Sequence, residues 1–275
     1  MGYDYQSPWF REALEVENKL VINQLNSRET ADICIVGGGY TGLWTALKIK
    51  EKNPSANIIV IEKDLCGSGA SGRNGGCMIP LSSKFPAMKK IVGTKDAIRM
   101  VKASEEALYK IKQFCENNNI DAKIRINGIV YSSTNNKHRG GFDNLLRDLN
   151  ENNINSWERF SKEKIQKLTG SNRNIDGYFS PIGGSLQPAL LARGLKKIAE
   201  KKGIKIFERS AMSSYDNNTM ITVHTAHGSI ECKKLVLAIN AWTPSFLSFL
   251  SRSVILVSSD MIISEPIKSE LEKLN

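Results

Sequence analysis

The chain has 275 residues, 41% hydrophobic and 24% charged, a composition that suits a folded protein of one or two domains. No run approaches the roughly 18–20 apolar residues that cross a bilayer, and the start, MGYDYQSPWF, has no apolar secretory core, so a cytoplasmic protein with no membrane partner is expected. The net charge of +10 comes from 38 Lys and Arg against 28 Asp and Glu, dispersed in stretches such as KKIAEKKGIK that read as solvent faces of helices; no nucleic-acid motif accompanies it, and no nucleic-acid partner is expected.

Residues before about Arg28 read as an amino-terminal arm, anchored by Trp9 and Phe10. An apolar strand from Ala31 then runs into Gly37, Gly39 and Gly42 at G-x-G-x-x-G spacing. A helix is predicted from about Thr41 to Lys52, with Leu43, Ala46, Leu47 and Ile49 facing inward and Pro54 blocking its continuation. A second apolar strand, NIIVIE, ends on Glu62, roughly 20 residues after the last glycine. Alone, the glycine spacing marks only a turn; strand, turn, helix, strand and acid in this order make the dinucleotide-binding fingerprint. Gly37 permits the tight turn, Gly39 lets backbone approach a pyrophosphate, and Gly42 lets the helix lie close on the strand. The helix start offers N–H groups and partial positive charge to phosphates. Glu62 can accept ribose hydroxyls and would repel a 2′-phosphate.

The segment KDLCGSGASGRNGGCMIP follows, a second loop of small residues next to the first. Gly75 and Gly76 would let backbone pass a flat ring, and Arg73 could face phosphate or a reduced, anionic flavin. Farther on, apolar residues at helical spacing predict a long core-facing helix over Thr94–Asn117. KIRINGIVY alternates like a strand over Ile124–Tyr131, and helices are predicted around Phe142–Leu149 and Lys162–Leu168. Pro188 sits at a first helical position, Gly203 closes that helix, and the strand IKIFE comes next. The five cysteines have no C-x-x-C spacing, and His224 and His227 would face opposite sides of a strand, so no metal site is expected.

VGGGYTG, IEKD and SGASGRNGG resemble the FAD-dependent amine and amino-acid oxidases of the D-amino-acid oxidase superfamily, above all its gamma-glutamylputrescine oxidoreductase-like and sarcosine or glycine oxidase-like members. SPIGGSLQPALLARGLKKIAEKKGIKIFERSAM and ITVHTAHGSIECKKLVLAINAWTP resemble their later cofactor-domain segments, so the likeness runs from about Ala31 to the end. It implies a Rossmann-like α/β FAD-binding domain of the GR2 type with an inserted α+β substrate domain on a mostly antiparallel sheet. The expected division is an arm at 1–27, FAD-binding segments at 28–118 and 186–247, and substrate segments at 119–185 and 248–275. Members continue farther, so the substrate domain is expected to be incomplete and the chain truncated at its carboxyl end.

By the same resemblance, Gly37, Gly39, Tyr40, Thr41 and Gly42 hold the pyrophosphate of FAD and Glu62 the ribose. Ser71, Arg73, Asn74, Gly75 and Gly76 run along the phosphates toward the ring. Met212 stands where a backbone meets the adenine and members usually have valine; Ala238, Asn240 and Trp242 match a flavin-proximal strand end where many have glycine in place of Asn240. The implied reaction is oxidation of a C–N bond of an amine or amino acid by hydride transfer to flavin N5, giving an imine that hydrolyses, with electrons passed to oxygen or another acceptor. No catalytic residue is assigned. A non-catalytic or partner-dependent FAD-binding fragment and a nicotinamide-dependent dehydrogenase are the alternatives.

Overall fold

The structure, a computed structural model, describes residues 7–17, 20–257, 260–264, 267, 269 and 272, so parts of the predicted arm and much of the predicted carboxyl-terminal substrate segment lie outside the described residues. In chain order the first half contains α1 (Pro8–Val16), β1 (Arg28–Val36), α2 (Tyr40–Lys52), β2 (Ile58–Ile61), β3 (Cys77–Met78), α3 (Phe85–Val92), α4 (Thr94–Asn117) and β4 (Ile129–Ser133). The second half contains α5 (Asp143–Glu151), β5 (Glu158–Phe160), α6 (Lys162–Thr169), β6 (Asp176–Ser180), β7 (Gly184–Ser185), α7 (Pro188–Lys201), β8 (Lys205–Phe207), β9 (Ser214–Asn217), β10 (Ile221–His224) and β11 (Ser229–Leu237). Two compact units form, one from Met1–Gly75, Ile120–Ala122 and Gln187–Ile263, the other from Gly76–Asn119, Lys123–Leu186 and Ser264–Asn275.

The first unit is built on a six-stranded sheet in the order β8-β2-β1-β11-β10-β9. β8, β2, β1 and β11 run parallel, and β10 and β9 close one side antiparallel. Parallel strands covered on both faces read as continuous apolar runs, which is why ICIV and IIVI show little alternation; all four residues of β2 are buried. Because four strands are parallel, Val36, Ile61, Phe207 and Leu237 end at one edge of the sheet. The core on this sheet gathers Cys34, Val36, Ile59, Ile61, Val223, Ile230 and Cys232, each contributing roughly 1–3 kcal/mol of burial. α2 buries Leu43, Ala46 and Leu47, while Ile49 is only partly covered. α7 starts on Pro188, as predicted, with the Gln187 side chain accepting from the Leu190 amide at 2.7 Å. The chain leaves α7 through Gly203, at φ +77°.

In the second unit, β4, β6 and β5 form an antiparallel sheet in the order β4-β6-β5, and β3 pairs with β7. Its core joins Phe85, Ala97, Val101, Leu145, Leu149, Trp157 and Tyr178. α4 occupies the span its periodicity predicts. The strand predicted from Ile124 instead begins at Ile129. Lys123 (φ +52°) and Gly128 (φ +93°) are left-handed and break the extended run, so Arg125 contributes only an isolated bridge to Ser185. No described helix is long and apolar enough to cross a membrane.

Candidate functional site

β1 delivers the chain to the glycine turn at the sheet edge where the four parallel strands end. Ligands of open parallel sheets bind outside those carboxyl ends. Gly37 has φ +114°, and a Cβ there would lie 2.4 Å from the Ala238 carbonyl oxygen. A Cβ on Gly42 would lie 1.9 Å from the Gly37 carbonyl oxygen. Backbone atoms occupy both places, so a side chain at either position displaces main chain. Gly39 caps α2 without a side-chain bond. The Tyr40 amide donates to Ser71 Oγ at 2.9 Å, and Tyr40 Oη donates to the Pro188 carbonyl at 2.7 Å. The amides of Thr41 and Gly42 have no acceptor among the described residues. A helix start leaves such donors for an anion.

Glu62 follows the last residue of β2 and turns back onto the glycine turn. Its Oε2 accepts from the Gly38 amide at 2.8 Å and its Oε1 from the Asp64 amide at 3.0 Å. Burial holds the carboxyl above its ordinary 4.5, with the two amides pulling the other way. Each oxygen keeps a lone pair for a hydroxyl donor. The Ser210 amide donates to the Glu62 carbonyl at 2.8 Å, which brings the segment leading to Met212 alongside it; Met212 itself is buried in the sheet core.

The second small-residue loop lies against the first, with the Gly67 amide donating to the Gly38 carbonyl at 3.0 Å. Arg73 Nε donates to the Ser68 carbonyl at 2.6 Å, and Asn74 Nδ2 to the carbonyls of Ala70 and Ser71. Arg73, Asn74 and Gly75 are exposed. From β11, the Ala238 amide donates to the Val36 carbonyl at 2.8 Å, extending the β1 pairing to the turn. Asn240 has φ +51°, the left-handed region in which asparagine is the best tolerated side chain after glycine. Trp242, 58% exposed, lies under Lys63 Nζ, 4.4 Å from the ring centroid. The structure thus brings fourteen of the fifteen predicted residues, Gly37 to Gly75 and Met212 to Trp242, into the first unit. Gly76 belongs to the second unit, where its φ is +68° and its carbonyl accepts from the Leu186 amide at 2.9 Å.

Sequence reasoning missed a buried ionic lattice behind the second loop. Glu208 (1% exposed) receives Arg193 Nη1 at 2.6 Å and the Cys66 amide at 2.7 Å on one oxygen. Lys196 Nζ stands 3.6 Å from the other oxygen and 3.0 Å from Glu200. Lys196, read from the sequence as a solvent-face lysine, is in fact buried, its amine lying between the buried Glu208 and the exposed Glu200. Cys66 packs beside Gly38, and burial pushes its thiol well above the ordinary cysteine range. Among the described residues, no group of His, Cys, Asp or Glu is arranged to hold a metal ion.

A family model described as "FAD dependent oxidoreductase" (DAO) matches residues 32–275. The gamma-glutamylputrescine oxidoreductase of Escherichia coli (strain K12) is 30% identical over 227 residues, covering 79% of this chain and 51% of that protein. A probable oxidoreductase OrdL of Haemophilus influenzae is 28% identical over 253 residues, covering 88% of this chain and 57% of that protein. Among solved structures, L-amino acid deaminase from Proteus vulgaris aligns with a TM-score of 0.69 at 20% identity, over 84% of this chain and 53% of that one. Glycine oxidase from Geobacillus kaustophilus aligns with a TM-score of 0.65 at 17% identity, over 80% and 58%. These two likenesses concern the fold. The chain spans about half the length of the curated relatives it matches.

Proposed function

The chain belongs to the FAD dependent oxidoreductase family, and from that premise we propose that its first unit holds FAD across the glycine turn and that the protein oxidises the C–N bond of an amine or amino acid. The observation that carries the reading is Glu62 bonded to Gly38 at the edge where the parallel strands end, beside amides that lack an acceptor among the described residues. The residues fit the cofactor: the cradle at Gly37 and Gly42 admits no Cβ, and a pyrophosphate beside the turn would receive the amides of Thr41 and Gly42. Glu62 would accept the ribose hydroxyls, and the Ser71–Gly75 stretch and the Ala238–Trp242 turn would flank the rest. FAD, when bound, supplies the hydride acceptor for this chemistry.

The substrate proposed is a small amine, with a gamma-glutamylated polyamine as the leading class, taken from the name of the Escherichia coli relative. A neutral amine is the reactive form, and an apolar pocket favours it because burial disfavours the ammonium ion. Oxygen or another acceptor reoxidises the protein. The half-length match favours a second reading, in which the chain binds FAD and needs a partner or further chain for turnover. An anaerobic screen of amines against the FAD-loaded chain tests the first reading. Loss of the yellow colour with one amine class supports it, and an artificial electron acceptor should then give turnover. Tight FAD binding with no bleaching by any amine contradicts it and favours the second.

A further inference from the structure

Resting on the cofactor reading above, we infer that α1 is a clamp on the second small-residue loop, acting through Glu17 and Arg193, so that docking of α1 and binding of FAD strengthen each other. Residues of α1 precede residue 32, where the family match begins, so nothing in that match assigns them a part. The start of α1 touches the loop directly, and its end acts on the loop through Arg193 of α7. At its start, Ser7 Oγ donates to the Gly72 carbonyl at 2.6 Å. At its end, both oxygens of Glu17 take Arg193 in a fork, Nε and Nη2 each at 2.8 Å. Such bidentate pairs fix geometry as well as adding energy.

Arg193 passes the constraint on. It is 5% exposed, and its third nitrogen contacts the Cys66 carbonyl at 3.3 Å and Glu208 at 2.6 Å. Glu208 in turn holds the Cys66 amide. Both polar groups of the Cys66 backbone are therefore bound to this lattice, at the residue that packs beside Gly38. The loop it fixes carries Ser71, whose hydroxyl orients the first amide of α2. α1 itself has nine residues. Isolated helices shorter than about 12–15 residues are marginal in water, so its order depends on these contacts and on burial of Phe10 and Ala13. If its docking shapes the loop, thermodynamic reciprocity requires FAD to tighten its docking.

The test uses the whole chain. Kd for FAD is read from flavin fluorescence, α1 docking from tryptic cleavage at exposed Arg11, and loop order from amide exchange at residues 66–68. FAD should slow cleavage at Arg11, and Glu17→Gln should weaken FAD binding, each by a factor within the usual coupling range of about 5–150. Without FAD, Glu17→Gln should speed exchange at residues 66–68 while leaving the β10–β11 hairpin unchanged, which a global loss of stability would not do. Ser7→Ala should act in the same direction with smaller size. Unchanged FAD affinity and unchanged exchange in both variants would overturn the inference. If the unsubstituted chain binds no FAD, the cofactor reading fails, and the exchange rates still decide whether α1 holds the loop.

Discussion

Between Gly37 and Gly42 the chain is confined by main chain: the Gly37 carbonyl fills the place of a Cβ on Gly42, and the Ala238 carbonyl, brought in by β11, fills that of Gly37. Between Cys66 and Asn74 the loop's own bonds are joined by side chains from elsewhere, those of Glu208, Arg193 and Ser7, up to 142 residues away in sequence. Main-chain packing shapes both loops, and the second is held in addition by charged side chains brought to it by the fold. They should fail differently. Substitutions inside the first loop strike it directly, whereas the second is broken most severely by residues outside it.

The largest expected effect comes from Arg193→Met. It leaves Glu208 buried with the Cys66 amide and the more distant Lys196 amine as its described partners, and removing one partner of a buried pair costs about 3–5 kcal/mol. Urea unfolding reads this directly; a loss no greater than at a surface position would remove the tertiary tether from the comparison. Next comes Gly42→Ala, which forces a Cβ onto the Gly37 carbonyl and should cost about 3 kcal/mol, the upper end of overpacking in a tight site. The same substitution at Gly69, in the second loop, meets nothing within 4 Å, so the change should stay within about 0.5 kcal/mol. Equal losses at the two glycines would erase the distinction.

A finer effect concerns pH. Burial raises the Glu62 carboxyl above 4.5, so the free protein holds this proton more tightly than the unfolded chain does. Its contribution to folding stability is present below 4.5 and is lost as pH rises through the raised value. Ribose hydroxyls donate to the ionised form. FAD affinity should therefore rise with pH through the same window, by at most about tenfold per unit for one proton, and then level off. Kd measured across that range for Glu62→Gln should lose the slope. A slope kept by the variant assigns the proton to another group.

The same contrast explains what could be read in advance. The glycine turn, α2 and the acid are legible because short-range sterics dictate glycine at fixed spacing and a strand on each side. The start of α7 is legible because proline suits a first helical turn, and α4 because its apolar spacing repeats over 24 residues. Lys196 misleads because a lysine in a basic stretch reads as solvent-facing, and only the fold brings Glu208 to it. Arg193, Glu17 and Glu208 carry no local signal at all. The strand at Ile124 fails for a local reason in plain view, since Gly128 at φ +93° interrupts an otherwise alternating pattern.

What lies in the first glycine turn decides the chemistry. Protein purified from cells making this chain, denatured and freed of protein, should release a nucleotide with the absorbance and chromatographic mobility of FAD, close to one per chain. Release of a nicotinamide dinucleotide in its place, or no nucleotide together with no saturable uptake of added FAD, would contradict it.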